Sequence, residues 1–195
     1  GRRGLLRRAC EHLYGKAPAA ALARAFALSA DPAAGAACGY GSAAEQRRTR
    51  LFPLFCLCGF ASGDVARLAA AAAADEGAHG RGLLWRTRET LTARALAYLA
   101  TALRRMPADA AAREDVAWLL TCARVGRAAC RALSAAWEWR DGAAPAAATR
   151  LRRALAALDD AVRPAEHASL TDPAGGDLSN WILFARRLRE AVQQN

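Results

Sequence analysis

The chain has 195 residues, of which 54% are hydrophobic and 24% are charged, a balance typical of a globular protein and not of a disordered one. Alanine supplies 54 residues, against one isoleucine and five valines, which excludes a mainly β fold. The net charge of +10 predicts attraction to polyanions, whether nucleic acid, anionic lipid or an acidic partner. We expect an all-α fold, a single domain over residues 1–195 with about eight to ten helices, more elaborate than a four-helix bundle.

Proline and glycine divide the first 80 residues into predicted helices. A first helix covers residues 2–15 and stops at Gly15, and a second runs from Pro18 to Ser29. Further helices are predicted over residues 42–52, 53–60 and 64–74. Because the chain lacks a starting Met and opens within a helical pattern, we interpret it as a fragment of a longer protein.

After a glycine-rich loop at residues 75–82, a long helix is predicted over residues 83–105, followed by a turn at 106–109. The next helix has the clearest pattern, since apolar or small residues recur at alternating spacings of three and four. These residues are Val116, Leu119, Ala123, Gly126, Cys130, Leu133 and Trp137. Such a seam is typical of core packing.

The last third of the chain predicts two more helices. A turn at residues 141–145 precedes an amphipathic helix that we expect to stop at Pro164, because proline lacks the backbone N–H a helix interior needs. A loop at residues 164–176 then leads to a final helix with an apolar stripe. That stripe comprises Leu178, Trp181, Ile182, Ala185, Leu188 and Val192.

No pattern of catalytic or metal-binding residues stands out. The motifs of zinc proteases, serine hydrolases and nucleotide-binding loops are absent, and the three histidines lie far apart in sequence. The six cysteines lack zinc-site spacing, so we expect them to be reduced, buried and hydrophobic in role. We therefore predict that the chain is not an enzyme and carries no cofactor or metal.

Clusters of arginine are the remaining signal, because the planar guanidinium suits phosphate. Of 28 basic residues 27 are arginine, and residues 1–50 hold the largest excess of basic over acidic groups. A GC-rich coding sequence would also raise the arginine and alanine content, so these clusters can equally be solvated helix faces. The candidate nucleic-acid ligands are Arg3, Arg7, Arg47, Arg48, Arg50, Arg124, Arg127 and Arg131. Replacing Arg47 and Arg48 by glutamate is expected to weaken RNA binding without unfolding the domain.

Several packing motifs carry a resemblance to a known family. They are Leu13-Tyr14-Gly15, Arg47-Arg48, Phe52-Pro53-Leu54, the run at residues 114–119, and the loop at 173–176 leading into a helix with Leu183 and Arg187. Together they resemble the C-terminal domain of the alphaherpesvirus tegument proteins encoded by unique-long gene twenty-one. Residues 61–110 carry no part of the resemblance.

The resemblance implies an all-α, non-enzymatic adaptor of the virion tegument that binds RNA without strong sequence preference. Its implied partners are RNA, a cysteine-rich tegument protein and host factors, and its implied locations are the virion, host cytoplasm and host nucleus. The implied biology is virion assembly, envelopment and spread. No short motif maps the protein-partner surface, although exposed aromatics such as Tyr40 or Trp139 are candidates for it.

Two other functions stay open. One is a helical apoptosis inhibitor, whose Asn-Trp-Gly-Arg-like motif is missing around Trp118 and Trp181. The other is a DNA-binding regulator, which needs a helix-turn-helix that the sequence does not reveal. Binding of a BH3 helix would favour the first, and sequence-dependent DNA affinity at high salt would favour the second.

Overall fold

A computed structural model describes residues 2–29, 81–142, 144–169, 182–183 and 185–190, and this part of the chain is helical with no strand. Its helices are α1 (Arg2–Tyr14), α2 (Lys16–Ser29), α3 (Arg81–Arg105), α4 (Arg113–Gly142) and α5 (Pro145–Ser169). A further helical segment, α6, contains residues 182–183 and 185–190. The all-α prediction is confirmed for these residues. The helices predicted over residues 42–52, 53–60 and 64–74 lie outside them.

Consecutive helices pack against one another in chain order, α1 on α2, α2 on α3, α3 on α4 and α4 on α5. The buried side chains form two clusters. The first core joins α1, α2 and α3 to the start of α4, around Leu22, Leu99 and Val116. The second core joins the rest of α4 to α5 and α6, around Leu133, Leu158 and Leu188. Helix α4 therefore belongs to both cores.

The apolar seam predicted on α4 is confirmed, but the helix is buried over a wider surface than one seam. Cys122, Val125, Ala129 and Ala132, which lie off the seam, are almost fully buried as well. A helix that contacts one neighbour needs a single apolar stripe, whereas α4 packs against α3 and α5 together. Its burial therefore reflects its place between two cores.

The connection between α1 and α2 follows the sequence closely. Helix α1 ends at Tyr14, and Gly15 takes a positive φ of 84°, which glycine adopts at little cost. The Gly15 N–H donates to the Glu11 carbonyl and so completes the last turn. The predicted stop at Gly15 is confirmed. Helix α2 begins at Lys16, two residues before its predicted start, which places Pro18 in its first turn.

The turn between α3 and α4 carries an interhelical cap. The Arg113 guanidinium donates to the Leu103 carbonyl at 2.6 Å and to the Met106 carbonyl at 2.9 Å. These carbonyls lie at and just beyond the end of α3, where helices leave acceptors without backbone donors. The cap fixes the angle at which the chain leaves α3. Glu114 and Asp115 occupy the first turn of α4, as predicted, where the helix dipole favours negative charge.

The prediction that a helix stops at Pro164 is wrong, since α5 continues to Ser169 with Pro164 in its interior. Pro164 and Asp160 are both exposed, so the carbonyl that loses its helical donor lies on the solvent side. Beyond the proline, Glu166 forms an ion pair with Arg186 of α6. This tertiary contact accompanies the extra turn, and the loop predicted at residues 164–176 is helical as far as Ser169 within the described residues.

Two smaller predictions can also be compared with the structure, and one of them is wrong. Cys10, Cys122 and Cys130 are buried, as predicted for cysteines of hydrophobic role, and burial raises the pKa of the Cys10 thiol. Trp139, in contrast, is not an exposed aromatic, because it packs partly buried against the second core. Tyr40 lies outside the described residues.

Candidate nucleic-acid interface

The structure describes half of the predicted arginine ligands. Arg7 lies exposed on α1, and Arg124, Arg127 and Arg131 lie on α4. Arg3 belongs to α1, although its side chain is not among the described ones. Arg47, Arg48 and Arg50 fall outside the described residues. The local positions of the α4 arginines follow from helical spacing, and their surroundings depend on which helices pack beside them.

Two of the three predicted arginine ligands on α4 converge on one carboxylate of α3. Arg131 reaches Glu89 Oε1 with both Nε and Nη2, each at 3.0 Å. Arg127 Nε lies 3.6 Å from the same oxygen and has no hydrogen-bond partner within the described structure. Arg124 is exposed and forms no ion pair with another described residue. Glu89 therefore offsets part of the charge that this helix face would offer a phosphate.

A second carboxylate completes this arrangement. Glu138 of α4 accepts hydrogen bonds from Arg86 of α3 and from Arg150 of α5, the latter at 3.0 Å. The ion pairs line a groove of about 420 Å³ between the three helices. We call it the paired groove, and its lining residues are Arg86, Glu89, Arg131, Ser134, Ala135, Glu138, Arg150, Arg153 and Ala154. Three of its four arginines, Arg86, Arg131 and Arg150, pair with Glu89 or Glu138, whereas Arg153 forms no ion pair with another described residue.

Glu138 titrates abnormally because of its neighbours. Burial raises the pKa of the Glu138 carboxyl, but the hydrogen bonds and charges of Arg86 and Arg150 together outweigh burial and lower it. Its side chain is only a quarter exposed, whereas both arginines are more than half exposed. The Glu138 carboxylate is therefore the more buried partner of the paired groove, and two more exposed guanidinium groups bind it.

A different groove lies where α1, α2 and α3 meet. It has a volume of about 520 Å³, and no described carboxylate lines it. We call it the cationic groove, and its lining residues are Arg7, Ala20, Ala23, Arg24, Ala27, Leu28, Arg94 and Tyr98. Arg24 and Arg94 are exposed and form no ion pair within the described residues, while Arg7 pairs with Glu11 at 2.9 Å.

The sequence of α2 explains the shape of the cationic groove. Ala20, Ala23 and Ala27 recur at spacings of three and four, so they share a helix face with side chains of minimal size. Against α3, such a face leaves a depression whose walls are the longer side chains around it. Arg24 is the only charged residue of α2 after Lys16, and its guanidinium carbon lies over the Tyr98 ring, 5.9 Å from the ring centroid.

Sequence reasoning missed Arg24 and Arg94 because it searched for arginines close together in the chain. The two residues lie on different helices, with more than 60 positions between them, and each stands apart from the dense clusters. The one available signal was Arg24 itself, a single charge inside an alanine-rich helix. Its partners could be found only from the packing of α2 on α3.

Comparison with known proteins identifies no relative, since no family model, curated protein or solved structure matches the chain. In the described part, no helix combines the length and apolarity that a bilayer crossing requires. Nor do the described His, Cys, Asp and Glu residues form a group of three that could hold a metal ion. Among the described residues, the two arginine grooves are the features that indicate a function.

Proposed function

We propose that this chain is a non-enzymatic helical domain that binds RNA through its phosphate backbone, without strong sequence preference. One observation carries the proposal. Three arginines from three helices, Arg7, Arg24 and Arg94, line a groove whose described lining includes no acidic side chain. Guanidinium groups bind phosphate oxygens through charge-assisted hydrogen bonds, and such contacts read the backbone and not the bases.

The electrostatics of the two grooves support this choice of site. In the paired groove, a phosphate would compete with Glu89 and Glu138 for three of the four guanidinium groups, those of Arg86, Arg131 and Arg150. In the cationic groove, Arg24 and Arg94 can bind a phosphate without breaking an ion pair to another described residue. Arg7 has to share its charge with Glu11, although that pair is exposed and such pairs contribute little. The cationic groove is therefore the preferred phosphate site.

The resemblance to the unique-long gene twenty-one tegument proteins supplies the proposed setting. In that setting the chain is a virion tegument adaptor, present in host cytoplasm and nucleus, that binds a cysteine-rich tegument protein and host factors during assembly, envelopment and spread. The proposed architecture remains one domain over residues 1–195, with eight to ten helices. The described surfaces single out no docking site for the protein partner, so its residues are not assigned.

The proposal is tested by fluorescence anisotropy with a labelled single-stranded RNA of random sequence, titrated at about 50 mM and 200 mM salt. Three phosphate contacts predict that affinity falls at least about twentyfold between these concentrations, since each contact on a single strand releases counterions. A second RNA of unrelated sequence should bind equally well. Absence of binding at low salt would overturn the proposal, and strong sequence preference that persists at high salt would favour a DNA- or RNA-reading regulator.

A further inference from the structure

The cationic groove contains more than charge, because an aromatic ring forms part of its wall. Tyr98 is partly buried against the first core, so the packing of α3 on α2 fixes its ring. Arg24 lies over that ring and is itself exposed. This cation–π contact favours a position of the guanidinium beside the ring, and the exposure of Arg24 leaves its planar group accessible to a ligand. The groove therefore presents a flat cationic platform beside Arg94.

We propose that the cationic groove holds one unstacked nucleotide of a single strand, with its base packed on the Arg24 guanidinium and the flanking phosphates bound by Arg94 and Arg7. This inference rests on the proposed RNA binding and specifies its substrate as single-stranded. Tyr98 is a positioning residue, since it supports Arg24 from behind and need not contact the base. Bases stack on arginine planes as well as on aromatic rings in single-strand recognition.

The size of the groove favours a single nucleotide over a duplex. A volume of about 520 Å³ falls within the range of about 300–1,000 Å³ that is typical of small-molecule sites. In an A-form duplex the bases are paired and stacked, and the deep, narrow major groove keeps side chains away from them. A duplex can therefore offer its phosphates to the rim of the groove but cannot place a base inside it.

A substitution of Arg24 can distinguish base stacking on the guanidinium from simple charge attraction. Lysine keeps the positive charge of Arg24 but lacks the planar group on which a base stacks. Arg24→Lys should therefore weaken binding of a single-stranded RNA of about ten nucleotides by about tenfold, the value of one lost stacking contact. The same variant should change binding of a matched RNA duplex, and of inorganic polyphosphate, by less than about twofold. All three ligands are titrated by anisotropy or competition with the intact 195-residue chain.

Two further variants control the experiment. Arg152→Lys makes the same change at an exposed arginine of α5 that lines neither groove, and it should leave all three affinities unchanged. Tyr98→Leu keeps an apolar side chain against the first core but removes the ring, so it should reproduce the loss seen for single-stranded RNA, with a circular dichroism melt checking the fold.

The outcomes separate the two proposals. If the unaltered chain binds RNA but Arg24→Lys leaves single-stranded binding unchanged, or lowers binding of RNA and polyphosphate alike, the base platform is wrong and the backbone proposal stands. If the unaltered chain binds no single-stranded RNA at low salt, the proposed function itself fails.

Discussion

The two arginine grooves contain similar side chains and differ in what holds them. In the paired groove, Glu89 and Glu138 sit among the arginines, so the positive charge is used to join α3, α4 and α5. In the cationic groove, the described lining residues are alanines, a leucine, a tyrosine and arginines, and the nearest paired acid is Glu11, which binds Arg7. An arginine cluster in a sequence therefore identifies neither a binding surface nor a structural one. The carboxylates that tertiary packing brings to it decide which it is.

The two grooves also differ in how much their arginines contribute to the stability of the fold. Exposed pairs stabilise a fold by at most about 1 kcal/mol each. In the paired groove, several ion pairs share the carboxylates of Glu138 and Glu89, which are only about a quarter exposed. Each of these carboxylates binds two arginines, so the pairs strengthen one another. The cationic groove gains nothing comparable from its arginines, so their removal should cost little stability.

The largest expected effect comes from reversing charge in the cationic groove. Arg24→Glu combined with Arg94→Glu should lower RNA affinity about a hundredfold, because two attractive contacts become repulsive. Thermal unfolding should shift little. The control is Arg152→Glu with Arg163→Glu, which changes net charge equally on exposed positions of α5. Equal losses for the two double variants would show that only net charge matters.

A smaller effect should follow when the paired groove is opened. Glu138→Gln removes the carboxylate that neutralises Arg86 and Arg150, so the domain should lose about 1 kcal/mol of unfolding free energy. The two released arginines should at the same time raise RNA affinity about threefold. Denaturant unfolding and anisotropy measure the two changes. Glu190→Gln removes a carboxylate from an exposed pair with Arg187 within α6, and it should alter stability by only a few tenths of a kcal/mol.

The smallest expected effect is a pH dependence of stability at the paired groove. The pKa of Glu138 is lowered in the folded chain from its ordinary value of 4.5, so the folded state binds its proton less readily than the unfolded state. The stabilising contribution is therefore fully present above about pH 4.5 and is lost as the pH falls through the lowered pKa. Unfolding free energies measured across this window should fall less steeply in Glu138→Gln. An unchanged slope would place the titrating group elsewhere.

The helical content could be predicted from sequence because it depends on local properties. Alanine-rich composition, the stop at Gly15 and the seam of α4 each belong to one segment, and each is confirmed in the described residues. The extension of α5 beyond Pro164 could not be predicted, since the ion pair between Glu166 and Arg186 that accompanies it joins distant segments. Pro164 and Asp160 lie on the exposed side of α5, where water can satisfy the carbonyl that lacks its donor, and the sequence around the proline does not reveal that placement.

The candidate site was less accessible to sequence reasoning for the same reason. Arg7 was identified and lines the cationic groove, whereas Arg24 and Arg94 were missed because they meet only when α2 packs on α3. Arg127 and Arg131 were identified from their shared helix face, but nothing in their own segment predicts that Glu89 approaches both. The contacts between residues of different helices therefore could not be predicted from this single sequence.

The central claim is that the cationic groove, and not the arginine face of α4, binds the RNA backbone. The most direct test is the salt dependence of RNA affinity in two matched double variants, Arg24→Gln with Arg94→Gln and Arg127→Gln with Arg131→Gln. Our account predicts that the slope of log affinity against log salt becomes shallower by about 1.4 in the first variant, for two lost phosphate contacts, and stays nearly unchanged in the second. A slope that changes only in the second variant would contradict the account and return the site to α4.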